Sequence, residues 1–324
     1  MGARWFSSWV LCGLALNSWG QDLRVAGPIT GIVFDQPSRS LRHVLGVPGA
    51  ARLGPPILTD LDWASVSPDS RTALVSLQGE VHWFSSTSDP SSDAGGVPLT
   101  GIVDSPICFT WAADSRAVVL YSATSRSVQW VRATDQGPVA DVPLPLTGVD
   151  GEVTALAAES PSGPVVLVSS AGVYQLSAST GTRLILPVSD GSVVALEPGG
   201  STLWVSDRST GQLLRTSTGS EQSPQIVLSD PENLADITAM TLSADRTRLY
   251  LANRTKLRLF VFDTGNGILS DGGELDAPVT QFLPLGRPSL LLLQGLRDQP
   301  EQPLYVLDET SGPGVFFIPA GGGQ

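Results

Sequence analysis

A single lysine, Lys256, stands among the 19 basic residues, and the 324-residue chain has only two histidines, two cysteines and two methionines. Each scarcity excludes something. Phosphate backbones are held by clusters of Lys and Arg, and a chain of net charge -12 without such clusters is excluded as a nucleic-acid binder. His43 and His82 are too few for a zinc set with Cys/His spacing, and no G-x-S-x-G accompanies them to suggest a nucleophile, a histidine and an acid. Each reads as a surface or cross-strand residue of a strand. There is no P-loop and no G-x-G-x-x-G opening a helix. In "DTGNGILSDGG", Gly265 and Gly267 fall where a calcium loop needs oxygen-bearing side chains. Beyond residue 20 no apolar run approaches the roughly 20 residues of a membrane span, so no transmembrane segment is expected.

The first twenty residues, "MGARWFSSWVLCGLALNSWG", place Arg4 before an apolar stretch that closes on Ser18-Trp19-Gly20, with small residues at the two positions a signal peptidase reads. The expected organisation is a signal peptide over 1–20 and one domain over 21–324, in the periplasm or outside the cell. Leu11 before Cys12 argues against a lipid anchor. Removal of the signal leaves Cys108 as the only cysteine, which excludes an internal disulfide and reads as a small buried hydrophobe of low reactivity.

What is present is a core and many turns. Hydrophobic residues make up 41% of the chain, charged residues 15%, and there are 34 Gly and 25 Pro. Short segments rich in Val, Leu, Ser and Thr lie between the turns, which predicts an all-β protein. Six of these segments repeat one phrase: "SVSPDSRTALVSL", "TWAADSRAVVLYS", "AAESPSGPVVLVS", "ALEPGGSTLWVS", "TLSADRTRLYLAN" and "LPLGRPSLLLLQ". Their turn positions, Asp69, Asp114, Ser162, Gly199, Asp245 and Arg287, are spaced by 45, 48, 37, 46 and 42 residues. That period fits four-stranded antiparallel blades, which bury both faces only by stacking on neighbours in a closed ring. The predicted fold is a β-propeller of seven blades, with six as the alternative. The phrase itself is the hairpin turn between the innermost and second strands, where Pro presets a dihedral and Asp caps turn amides. "GIVFDQPSRSLRHVLG", at 31–46, reads as the last two strands of an incomplete first blade, with "DLRVAG" as its one candidate inner strand.

With "VSPDSR" and "LSADRTRLYLAN" the chain resembles bacterial extracytoplasmic propellers built from SPDG-type repeats, the periplasmic propeller of the Tol system among them, and the related YVTN-type surface propellers. The resemblance spans most of residues 60 to 320 and implies a fold rather than a function.

Trp63, Trp83, Trp111, Trp130 and Trp204 lie in repeat strands, where aromatic side chains pack between blades. The sequon Asn253-Arg254-Thr255 carries no expectation of glycosylation. An Asp stands shortly before every repeat's inner strand: Asp60 with Asp62, Asp104, Asp150, Asp190, Asp236 and Asp276, each 9 to 12 residues ahead of its turn position where the first of the pair is counted. These seven carboxylates are the candidate ligand-binding residues. They start strands as Asx turns, or they form an acidic ring at the channel mouth that holds a divalent cation or a cationic partner. Two functions follow. One is a monomeric, secreted or periplasmic, non-enzymatic scaffold that binds a protein or cell-surface component without a cofactor. The alternative is a metal-assisted hydrolase or lactonase that uses the ring.

Overall fold

The computed structural model describes residues 28–85, 96–177, 179–219, 223–295, 302–310 and 312–320. The expected signal peptide and "DLRVAG" fall outside them.

Seven antiparallel sheets form a propeller. Blades 2 to 7 begin with inner strands Leu61–Val66, Pro106–Trp111, Val153–Ala158, Val193–Leu196, Ile237–Leu242 and Val279–Pro284. Their second strands, Thr72–Leu77, Ala117–Ser122, Val165–Ser169, Thr202–Asp207, Arg248–Asn253 and Leu290–Gly295, are the apolar runs of the repeat. A sheet covered on both faces needs apolar residues at successive positions rather than alternate ones. Ala117–Ser122 is accordingly buried at all six residues. Third and fourth strands follow in order outward, and in blade 3 two short strands, Gly137–Ala140 and Leu144–Pro145, share the outermost place.

Blade 1 shows three strands among the described residues, Ile29–Asp35, Ser40–Leu45 and Arg52–Leu58. They hold the second, third and fourth positions. Gly31, near the start of the first of them, lies where an added Cβ would meet Leu285 and Ser70, residues of the inner hairpin turns of blades 7 and 2. Arg39, which ends the next turn, accepts a hydrogen bond on its carbonyl from Leu61 N–H. Arg126, Gly211 and Leu257 close the turns between second and third strands in their own blades and accept equivalent bonds from Leu146, Asp230 and Leu275. The segment 31–46 is therefore the second and third strands, one place inward of the expected assignment. "FDQPSRS" and "FDTGNGI" both follow an apolar run with a tight polar turn, and sequence alone does not separate them.

Each neighbouring pair of blades shares one apolar cluster, and seven clusters close the circle. The cluster between blades 7 and 1 joins Leu285, Leu290, Val306 and Ile318 to Val33, Val44 and Leu53. The tryptophans pack in these clusters: Trp63 lies 4.6 Å from Phe109, Trp83 5.5 Å from Trp111 and Trp204 5.9 Å from Phe262, ring centre to ring centre. One helical turn, Pro231–Leu234, capped by the Asp230 side chain, leads into blade 6. Asn253 is buried there, and its amide donates to the carbonyls of Asn233 and Ala235. This use of the side chain removes the sequon from consideration.

Candidate active site at the channel mouth

Inner strands of a propeller run in one direction, so the connections that enter them open on one end of the ring. The same end carries the turns between second and third strands. In five blades the inner strand slips register at its second residue, leaving Asp62, Ile107, Thr154, Thr238 and Thr280 as bulges. Bulges break the ladder and redirect side chains, and they recur beside functional sites.

The seven candidate aspartates stand in or beside these entrances but not at equivalent positions. Counted from the first paired residue of the inner strand (Leu61, Pro106, Val153, Ile237 or Val279), Asp60 and Asp236 stand one before it, Asp104 two, Asp150 and Asp276 three, and Asp62 one after. Asp60 and Asp236 have φ of 60° and 65°, a left-handed conformation that Asp tolerates better than most residues. Part of the pattern is thus backbone geometry.

Their carboxylates divide into those engaged by the fold and those left over. Asp62 accepts from Gly79 N–H at 3.0 Å, from the Ser76 hydroxyl at 3.1 Å and from Arg39 of blade 1 at 2.8 Å. The Gly79 amide, then Ser76 and Arg39, hold its carboxyl below the ordinary value. Asp276 accepts from the Tyr305 hydroxyl at 2.9 Å, and burial together with that carboxylate pushes Tyr305 up to about 12. Asp60 accepts from Thr59. Asp104, Asp150 and Asp190 are exposed, without a side-chain partner among the described residues.

Asp236 is the most heavily engaged. Arg254 of the same blade donates to it through Nε at 3.1 Å and Nη2 at 2.9 Å, Arg208 of blade 5 pairs with it at 2.7 Å, and the Thr255 hydroxyl donates at 2.6 Å. Burial works to raise its pKa, but Thr255 and the two guanidinium groups outweigh it and keep the carboxyl below its ordinary value. Arg208 reaches across because Gly191, at φ 78°, has no Cβ; one added there would lie 2.6 Å from the Arg208 Nη1. The result is a carboxylate fixed between two guanidinium groups at the boundary of blades 5 and 6. Arginines of the second-to-third turns, Arg39, Arg126, Arg208 and Arg254, were not among the sequence candidates. Their signal is present in "QPSR", "ATSR", "DRST" and "NRTK", but which aspartate each meets depends on how the blades are stacked.

Cys108 is half-buried rather than fully buried, on the inner strand of blade 3. Its Sγ–H donates to Thr154 O of blade 4 at 3.7 Å, and burial, with the charge of Glu152, pushes the thiol up to about 11. His82 sits in the third strand of blade 2 with Nε2 3.7 Å from Glu80, and burial lowers the pKa of His43. Among the described residues no three His, Cys, Asp or Glu are grouped to hold a metal ion, and no helix is long and apolar enough to cross a membrane.

No protein-family model and no curated protein matches the chain. Solved structures do. The chain is similar to the periplasmic gluconolactonase PpgL of Pseudomonas aeruginosa at 14% identity and TM-score 0.57, covering 90% of this chain and 96% of that one. It is similar to a candidate 6-phosphogluconolactonase of Bacteroides fragilis at 13% identity and TM-score 0.60, covering 90% and 92%. A protein of unknown function from Desulfotomaculum acetoxidans matches at 12% identity and TM-score 0.58, covering 91% and 100%. At these identities the likeness establishes the seven-bladed fold. It also corrects the expected non-enzymatic scaffold, since two of these likenesses are to proteins named as lactonases and none supports a binding scaffold. That expectation rested on few His and Cys residues, whereas ester chemistry can be served by the arginines and carboxylates this mouth contains.

Proposed function

We propose that the protein is a lactonase-type hydrolase that opens a small hydroxylated lactone with water at the channel mouth. The observation that carries this reading is the Arg208–Asp236–Arg254 arrangement, in a ring of the shape that the two named lactonases share. Water attack on a lactone carbonyl builds negative charge on its oxygen, and preorganised N–H donors stabilise that charge without reorganising. Asp236 holds the two guanidinium groups in place. Its low proton affinity makes it a poor base, so its part is positional. The guanidinium groups take the role that a divalent cation has in the metal-assisted alternative, for which the described residues assemble no ligand set. Export by the first twenty residues, action outside the cytoplasm as a soluble monomer, and kinship with SPDG- or YVTN-type propellers belong to the same proposal. The signal-like N-terminus supports export, and the turn motif supports the propeller kinship.

The test is acid release from glucono-1,5-lactone by the purified chain, followed at constant pH. The expected result is hydrolysis faster than the spontaneous rate, with kcat falling about 10²- to 10³-fold in the double variant R208A/R254A. A rate equal to the spontaneous one across a panel of five- and six-membered sugar lactones overturns the reading.

A further inference from the structure

We infer that the boundary between blades 1 and 2 is an acid-sensitive joint, closed while His43 and His82 are neutral and loosened when they take up protons. These are the only two histidines of the chain, and neither has a part in the reaction proposed at the mouth.

Strand register places both on the same boundary. Residues directly opposite one another in an antiparallel pair project from the same face. His43, in the third strand of blade 1, stands opposite Ile32, and His82, in the third strand of blade 2, stands opposite Val75. Ile32 and Val75 both belong to the apolar cluster between blades 1 and 2, together with Leu61 and Ala73. The residues two places along each third strand agree, since Leu41 and Phe84 lie in that cluster as well. The two imidazoles therefore enter one boundary from its two sides. Both are part-buried, and burial lowers the pKa of His43. His82 Nδ1 is buried without a hydrogen-bond partner among the described residues, while its Nε2 lies 3.7 Å from Glu80. A neutral imidazole fits this arrangement, with its one N–H on Nε2. The imidazolium carries a second N–H on Nδ1, which is then a buried donor with no acceptor.

The charged groups around this boundary offset little of that cost. Arg39 and Asp62 satisfy each other at its mouth end, at 2.8 Å. Asp60, in the connection between the two blades, is exposed, and so is Arg52, which stands opposite Leu45 on the His43 face of blade 1. Among the described residues only Glu80 pairs with an imidazole, and its side chain is 78% exposed, so water screens the attraction. A histidine whose folded pKa lies below 6.5 costs the fold nothing above that value and takes stability from it as pH falls through 6.5 toward the folded value. At the mouth end the blades are also joined by Leu61 N–H donating to Arg39 O at 3.0 Å and by Arg39 Nε donating to Leu61 O at 2.8 Å. None of these bonds involves a group that titrates near neutral pH. On acidification the third strands part while the mouth end stays tied.

The experiment follows thermal unfolding of the full chain and of H43Q, H82Q and H43Q/H82Q between about pH 7.5 and about pH 5. Over that range the wild-type melting temperature is expected to fall by about 2–4 °C more than that of the double variant, each single variant removing part of the difference. Hydrogen exchange at the acid end, corrected for its intrinsic pH dependence, should show protection lost in Ser40–Leu45 and Glu80–Ser85 of wild type and kept in the double variant, with Val165–Ser169 of blade 4 unchanged in both. Imidazole resonances read the titration in the wild-type chain itself, so the outcome does not depend on a variant that folds, and His43 should titrate below 6.5. A double variant that keeps the wild-type slope overturns the inference. So does a His43 that titrates at or above 6.5, or a loss of protection spread evenly over blades 1, 2 and 4.

Discussion

A carboxylate at the mouth of this ring is defined by its partners. Asp236 meets an arginine 28 residues upstream and another 18 downstream, and its folded pKa lies below the ordinary 3.8. A depressed carboxylate stabilises the fold above its unfolded pKa and loses that contribution as pH falls through the folded value. D236N is therefore expected to unfold at a lower temperature than wild type at pH 7, by about 1–2 kcal/mol once solvent screening of the half-exposed arginines is allowed for. Thermal unfolding at stepped pH should show the gap between the two proteins closing below about pH 4. A gap that is constant down to pH 2 would count against the pairing. Cys108 gives a second residue-scale test. A thiol raised to about 11 supplies roughly a hundredfold less thiolate at pH 8 than an ordinary cysteine, so iodoacetamide should label the folded chain lacking residues 1–20 that much more slowly than free cysteine. Labelling at the rate of free cysteine would contradict the placement of the thiol.

At the scale of the element, the repeated hairpin turn explains why the fold was legible. In "SPDSR" the Asp69 carboxylate accepts from the Ser67 hydroxyl and Arg71 N–H, and Ser67 Oγ accepts from Thr72 N–H. Asp245 makes the same set with Ser243 and Thr247, and these bonds hold it at about 2. Ser70, Ser115 and Arg246 close three of these turns at φ of 55° to 65°. All of this is local, within five residues, so sequence reveals it. R246G should leave stability unchanged or raise it by up to about 1 kcal/mol, because glycine adopts that φ freely while its unfolded chain is looser. R246V should cost about 1–2 kcal/mol. Urea unfolding of the two variants decides, and the reverse order would mean that the turn is not left-handed in solution. The site was less legible for the same physical reason turned round. Asp62 meets Arg39, and Asp236 meets Arg208, only because consecutive blades lie side by side, and no local pattern encodes that adjacency.

The whole molecule stands on its closure. Blade 7 is completed by its own segment, Val279–Pro284 through Gly314–Ile318, and the described strands of blade 1 come from Ile29–Leu58, so among the described residues no strand is exchanged between them. Among the described residues, first and last blades are joined by the apolar cluster between them and by a close backbone approach, with Thr30 O so near Gly286 that a Cβ there would lie at 2.3 Å. In an open stack, each repeat contacts only its neighbours, and an injury at the end frays the end alone. In a ring there is no end, and every interface is equivalent. Leu290, at the seam, and Leu167, between blades 3 and 4, are both fully buried leucines of second strands. L290A and L167A should therefore each cost about 2–5 kcal/mol and each unfold in one transition, followed alike by far-ultraviolet dichroism and by tryptophan fluorescence. The fluorescence matters because all the packed Trp pairs lie in blades 2, 3, 5 and 6, away from the seam. If L290A loses dichroism first and fluorescence later, the seam opens on its own and the ring behaves as a stack. Coincident curves mean that the last blade is held to the first as firmly as any blade to its neighbour, as a mouth built from the turns of successive blades requires.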